Sequence, residues 1–224
     1  MKSVLLLSGG LDSATVCSLM KKEDREIYAL TIDYNQRHRA ELEAARNIAK
    51  FNQVKEHVIL PVDLTKFGGS ALTDKSITIP ETPRTEIGKE IPTTYVPARN
   101  LVFLSLALAF AETRQADEIW LGVNSVDYNG YPDCRPEFVN AFQGIANIAT
   151  KIGIEKGIEI RAPLLSLTKS EIISEGLKAG VDYSLTRTCY RLDEKGRSCG
   201  RCESCRLRQE AFLALGMKDP APYV

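Results

Sequence analysis

Little in this chain points to a membrane, a secretory route or a polyanionic partner. The longest apolar run, Leu101 to Ala111, is broken by Ser105 and stops at Glu112, well short of the ~18 residues that would suggest a membrane span. The N-terminus has one Lys and goes straight into an apolar stretch. No signal-peptide cleavage pattern is present, so a cytoplasmic location is expected. Neither sign of charge is in excess: Lys+Arg and Asp+Glu both number 29, for a formal net charge of zero. That balance gives no support to a broad nucleic-acid surface, although it leaves room for a local basic patch. Internal repeats and low-complexity segments are also missing. What remains is ordinary for a folded protein: 224 residues, 44% hydrophobic and 26% charged, enough for one well-packed domain with a small appendage. In a reducing compartment the six cysteines suggest metal binding or chemistry rather than disulfides.

The most informative stretch is the first. Val4-Leu5-Leu6-Leu7 has strand length, Ser8-Gly9-Gly10-Leu11-Asp12-Ser13 is a tight turn, and Ala14 to Met20 reads as a helix. Such a junction presents backbone N–H groups at a helix N-terminus, where the dipole favours an anion. The glycines let that backbone approach a ligand closely, and Ser8 and Ser13 add hydroxyls. Asp12 has two compatible readings. It caps the helix, or it holds a Mg²⁺ that also binds phosphate oxygens. The string has neither the Gly-Lys-Ser/Thr of a Walker loop nor the spacing of a dinucleotide fold. It resembles the pyrophosphate loop of the N-type ATP pyrophosphatases, whose members cleave ATP between its α and β phosphates and adenylate a substrate oxygen.

Strand and helix patterns then alternate. Ile27–Ile32 and Val58–Leu60 read as strands, and Ala40–Phe51 as a helix with Leu42, Ala45, Ile48 and Ala49 at helical spacing. This order predicts an α/β fold with a parallel sheet and right-handed crossovers. Ligands in such sheets sit beyond the carboxyl ends of the strands, where backbone around Thr31 could meet an adenine edge. Arg37, His38 and Arg39 either contact substrate or form a solvated helix start. Pro61 to Pro97 has little periodicity, and its length suggests a mobile cover, a partner-binding excursion or disorder. Arg99 and Asn100 stand at the entrance of the apolar helix Leu101–Ala111, which is expected to be buried nearly all round. Glu118 to Val123 is the next strand.

Beyond it, Asn124 to Arg135 combines Asp127, Tyr128, Tyr131, Asp133 and Arg135. These residues suit a planar, purine-like acid, but turn formation and packing would also account for them. A helix from Pro136 to about Lys151 and a strand at Ile158–Ile160 follow. Thr168-Lys169-Ser170-Glu171 has the capping-box pattern of a further helix. Lys169 lies in its first turn, where the dipole disfavours a cation unless a phosphate is near. Cys189, Cys199, Cys202 and Cys205 follow the pattern C-x9-C-x2-C-x2-C. Four thiolates so spaced predict a closed structural zinc site. The alternative is an iron–sulfur cluster, whose usual fourth Cys-Pro is missing. Cys17 and Cys134 read as small buried hydrophobes, since no adjacent His supports a nucleophile. Glu203 to Leu215 is the last helix.

Taken in one order, the Ser8–Ser13 loop, Val96-Pro97-Ala98-Arg99-Asn100, Asp127 to Arg135 and the four cysteines resemble the 7-cyano-7-deazaguanine synthase (QueC) family of the queuosine pathway. The resemblance runs over nearly the whole chain. It implies an α/β, Rossmann-like domain of the adenine nucleotide alpha-hydrolase type over residues 1–185, with a zinc-binding segment and its helix over 186–224. It implies conversion of 7-carboxy-7-deazaguanine, ammonia and ATP to the nitrile through adenylated intermediates, with Mg²⁺ and Zn²⁺ as cofactors. Ser8, Gly9, Gly10, Leu11, Asp12, Ser13, Ala14, Thr31, Arg99 and Asn100 would bind ATP. Asp12, Lys169 and Arg99 would act in catalysis, and Asp127, Tyr131, Asp133 and Arg135 would bind the deazaguanine. The expected partners are small molecules, with no nucleic acid, no membrane, and a homodimer as the assembly the family suggests. The competing readings are another superfamily enzyme (a tRNA thiolase or an amide-forming synthetase), a nucleotide sensor, and a zinc-ribbon nucleic-acid-binding module.

Overall fold

The apolar strands alternate sides as their twofold period requires. Val4, Tyr28, Leu30, Ile32, Ile119 and Ile160 enter one core layer. Leu5, Ile27, Ala29 and Trp120 enter the other. Strands buried on both faces are near-continuously hydrophobic, which is the signature of a parallel sheet covered by helices. The computed structural model, which describes residues 1–81, 90–124 and 130–224, has that architecture. Five strands, β1 (Lys2–Leu6), β2 (Glu26–Asp33), β3 (Glu56–Pro61), β4 (Glu118–Trp120) and β5 (Glu159–Arg161), form one sheet in the order β3-β2-β1-β4-β5. Every pairing is parallel.

The helices are α1 (Leu11–Lys22), α2 (Ala40–Phe51), α3 (Arg99–Arg114), α4 (Pro136–Ala149), α5 (Lys151–Glu155), α6 (Lys169–Lys178) and α7 (Glu203–Ala214). Leu104, Ala107, Leu108 and Ala111 of α3 and Val139, Phe142 and Ala146 of α4 fill the first layer. The second takes residues from α1, α2, α6 and α7, among them Met20, Ile48, Ile173 and Phe212. The chain winds from β1 toward β3, then crosses by α3 to β4 and continues to β5. The order therefore reverses between β1 and β4, and a ligand crevice opens beyond their carboxyl ends. At the opposite end of the sheet the buried Glu118 is fully engaged by Ser3, Trp120, Arg25 and Arg161.

Several local expectations shift. Helix α3 starts at Arg99, two residues early, after Ala98 in the left-handed region (φ 54°). It is buried along one face rather than all round, since Leu101 and Ser105 are exposed. Strand β4 ends at Trp120; Leu121 still donates its N–H to the Arg161 carbonyl at 3.0 Å, and Gly122 and Val123 lie beyond the strand. Helix α4 stops at Ala149 because Thr150 takes an extended conformation and caps α5, accepting from the Gly153 N–H. The aperiodic stretch after β3 is packed where it is described: Leu64, Ala71, Leu72, Ile79 and Val96 join the first layer. It is tied down by Arg37, which donates to the Asp74 and Ile77 carbonyls at 2.7 and 2.6 Å.

Candidate active site and metal centre

The Ser8–Ser13 turn joins β1 to α1 at the reversal point. The N-cap of α1 is Gly10, which makes no side-chain capping bond. Asp12 is thus a first-turn residue and not the cap. The first N–H groups of α1 face the crevice, as an anion site requires. Gly9 holds φ at +86°, and a Cβ there would lie 2.1 Å from the Glu41 carbonyl of α2. Glycine at this position lets α2 press against the turn. Gly122 does the same from the sheet side, where a Cβ would come within 3.1 Å of the Asp12 and Ser13 backbone. Ser8 and Ser13 share a 3.0 Å hydroxyl contact, and Ser8 Oγ accepts from the Gly10 N–H.

The turn opens on a cavity of about 270 Å³ at the carboxyl ends of the strands. Ser8, Gly10, Leu11, Asp12, Ser13, Arg99, Asn100 and Tyr131 line it. So do Arg37 and His38, while Arg39 is exposed and faces Asp33. Gly9 and Ala14 stand behind, in contact with α2 and the core. Thr31 does not reach the cavity. Its hydroxyl donates to the Leu7 carbonyl and meets His57 Nε2 at 2.8 Å.

Lys169 comes from the far side of the sheet sequence to meet Asp12. Its Nζ lies 2.9 and 2.8 Å from the two carboxylate oxygens. The capping box read in the sequence puts it there: Thr168 caps α6 and Glu171 returns a bond to the Thr168 N–H. Two helix N-termini therefore converge, and the acid and the cation in their first turns are joined.

Asn100 donates its backbone N–H to Asp133 Oδ2 at 2.8 Å and its side-chain amide to the Asp133 carbonyl. Asp133 is buried and caps the start of α3, while Arg135 is exposed and lies outside the cavity lining. Tyr131 bonds Thr94 through its hydroxyl at 3.0 Å. Asp127 falls outside the described residues. Burial works against the charge of Arg99, but Tyr34, Cys134, Tyr131 and Asp133 around it outweigh this and raise its pKa. Burial pushes the Tyr34 phenol up to about 12.

Of the lining residues not singled out in the sequence, Glu41, Arg187 and Thr188 bring polar groups to the turn's side of the cavity. Glu41 is a carboxyl raised to about 7 by burial, against the pull of Arg99. Arg187 donates its backbone N–H to the Gly9 carbonyl at 2.9 Å and has its pKa lowered by burial and by Arg208. Thr188 has a buried hydroxyl with no hydrogen-bond partner among the described residues. Arg187 and Thr188 carried one signal, their place directly before Cys189. Glu41 carried none, since an acid in the first turn of a helix is commonplace.

The four cysteines converge with their sulfur atoms all within 4.8 Å of one another. Cys189 and Cys202 sulfurs are 4.0 Å apart, far beyond a disulfide bond. The Arg191 and Cys199 N–H groups point at Cys189 Sγ. Crowding splits the thiols: the bond to Cys202 raises Cys189, and bonds from Cys189 and Cys205 hold Cys202 down. Such a cluster ionises fully only around a cation. Cys189, Tyr190 and Ser204 also line the cavity, so the cysteine cluster forms part of its wall.

The model of the family "Queuosine biosynthesis protein QueC" matches residues 2–216. A 7-cyano-7-deazaguanine synthase of Pseudomonas putida (strain W619) is 56% identical over 223 residues, covering 99% of this chain and 98% of the relative. One from Ectopseudomonas mendocina (strain ymp) is 56% identical over the same shares. Among solved structures, NMN synthetase from Francisella tularensis superposes with a TM-score of 0.52 at 18% identity, covering 96% of this chain and 77% of that one. At that identity the likeness speaks for the fold alone. No helix among the described residues is long and apolar enough to cross a membrane.

Proposed function

The chain belongs to the QueC family of queuosine biosynthesis proteins, and we propose that it makes 7-cyano-7-deazaguanine from 7-carboxy-7-deazaguanine, ammonia and ATP, releasing AMP and pyrophosphate. A carboxylate is a poor electrophile. Transfer of AMP to one of its oxygens supplies a leaving group, and ammonia then gives an amide. A second adenylation, on the amide oxygen, allows AMP to leave again and the C≡N bond to close.

The observation that carries this reading is the Ser8–Ser13 turn at the β1/β4 reversal, opening on a cavity that Arg37, Arg99 and Arg187 also line. The Gly10, Leu11 and Ser13 backbone and the Ser8 and Ser13 hydroxyls hold the departing pyrophosphate, while Gly9 shapes the turn and the Ala14 N–H is taken by the Gly10 carbonyl. Stabilising charge as it develops is the largest single contribution of such a site. Asp12 offers a carboxylate for Mg²⁺, which would screen the phosphates when bound. Lys169, held by Asp12, and Arg99 with Asn100 supply positive charge and donors to the phosphates. Tyr131 of the cavity wall is assigned to the deazaguanine together with Asp127, while Asp133, which caps α3, and the exposed Arg135 would reach it only by leaving their present places. Backbone at the end of β2, near Thr31, is assigned to the adenine. Zinc fits the four cysteines, because tetrahedral Zn–S bonds of about 2.3 Å put sulfurs about 3.8 Å apart. With four protein ligands it would have no open position and a structural role. A cytoplasmic setting and a homodimer complete the reading, the latter open to light scattering.

The test is direct. Protein, ATP, Mg²⁺, ammonium and 7-carboxy-7-deazaguanine are incubated, and mass spectrometry follows nitrile and AMP. Both should appear together, and neither should form without the carboxylate. Folded, zinc-loaded protein that makes no nitrile would overturn the assignment.

A further inference from the structure

Two carboxylates line the cavity, Asp12 and Glu41, and their surroundings differ. Asp12 is neutralised through both oxygens by Lys169. Glu41 receives no hydrogen bond among the described residues, and the cation acting on it is Arg99. Its position is fixed by the phosphate turn, since the Glu41 carbonyl is the group against which Gly9 packs. The other titratable groups facing the cavity are Tyr34, Arg37 and His38 after β2, Arg99 at the start of α3, Tyr131 and Cys134 before α4, and Arg187, Cys189 and Tyr190 beside the turn. None of these offers ammonium a free carboxylate. The arginines are cations, Cys189 belongs to the four-cysteine cluster, and burial raises the Tyr34 and Tyr131 phenols. His38 donates its Nε2–H to the Tyr190 carbonyl at 3.0 Å, so Nδ1 is a neutral acceptor that burial makes a weaker base and that carries no charge to hold ammonium.

The amide-forming step needs a proton acceptor. Near neutral pH ammonia is almost all ammonium, which has no lone pair to attack with. We propose that Glu41 binds ammonium in this cavity and accepts its proton, releasing ammonia beside the acyl adenylate. The proposal rests on the adenylation reading above. In the step, one N–H bond of ammonium breaks, with the proton passing to a Glu41 oxygen and the electron pair staying on nitrogen. That pair forms the C–N bond, the C–O bond to AMP breaks, and AMP leaves with its electrons. The extra proton on the new amide nitrogen passes to water. Burial helps here: a carboxyl raised to about 7 takes a proton from ammonium less steeply uphill than an ordinary one would.

The test uses the zinc-loaded enzyme and two nucleophiles. Hydroxylamine is uncharged near neutral pH and needs no base before it attacks. Glu41→Gln should lower ammonium-dependent turnover about a hundredfold, the scale of a lost general base. Hydroxylamine-dependent hydroxamate and AMP formation should stay near the wild-type rate. Equal loss with both nucleophiles, or no loss with either, overturns the proposal. A second measurement needs only the wild type. If ammonium is what binds, KM for total ammonia stays nearly flat from neutral pH upward, whereas capture of free ammonia makes it fall about tenfold per pH unit. Failure of the adenylation reading would look different: wild type would release no carboxylate-dependent AMP with either nucleophile.

Discussion

The phosphate turn and the cysteine cluster face one cavity, but they are built in opposite ways. The turn is carried by the central strand and the first helix. Its N–H groups and hydroxyls are ordered by bonds within the turn, with Gly9 and Gly122 letting α2 and the segment after β4 close on it. Cys189 and Cys199 lie in irregular segments, Cys202 and Cys205 at the start of α7, and their sulfurs converge within 4.8 Å with no sheet behind them. In the first region the fold organises the site, and in the second the site organises the chain. The two are coupled where Arg187 bonds Gly9 and Cys189 reaches the cavity wall. A structural metal would therefore support catalysis without touching substrate.

The sharpest break in this contrast is Cys202→Ser. Its buried ligand is lost, and structural zinc carries on the order of 10 kcal/mol of folding free energy. Zinc content measured by plasma emission, thermal stability and turnover should all collapse. Undiminished turnover in folded, metal-free protein would show that the wall stands without the ion. Next comes Asp12→Ala, which takes the Asp12 carboxylate from Lys169 and the metal carboxylate from the phosphates. Pyrophosphate release should fall by about a thousandfold with zinc unchanged, and metal loss in this variant would mean the two regions are not separable. Gly9→Ala tests the backbone alone. The new methyl meets the Glu41 carbonyl, the turn shifts, and turnover should drop about a hundredfold through misplacement with zinc retained. The smallest effect belongs to Tyr183→Phe. It removes a hydroxyl bonded to Thr15 at 2.8 Å, but Thr15 keeps its bond to the Leu11 carbonyl. Denaturant melts should show a loss of about 1 kcal/mol, with zinc and turnover unaffected.

Much of the site could be read in the chain because its parts are local. Ser8 to Ser13 are consecutive, and strand–turn–helix is a short-range pattern. The capping box at Thr168 spans one helical turn. The three C-terminal cysteines fall on a tight knuckle. The α/β class follows from strand and helix periods in the same way. Where expectations slipped, packing had the last word. Helix α3 looked buried all round from its apolar content, but a helix covering a sheet buries one face. The stretch after β3 lacks periodicity because it is held by individual contacts such as those of Arg37 with the Asp74 and Ile77 carbonyls.

By itself, then, the sequence determined that a phosphate turn follows the first strand, that four thiols can meet, and that strands and helices alternate. Only the tertiary structure decided that β4 lies beside β1, and so where the crevice opens. It also decided that Asp12 pairs with Lys169 across 157 positions, that Arg187 closes over Gly9, and that Glu41 stands unbonded in the same cavity. Short-range geometry fixes turns, caps and ligand knuckles through bonds a few residues long. Pairings between distant groups exist only once crossovers have brought separate segments to one edge of the sheet, and no local spacing records which segments those are.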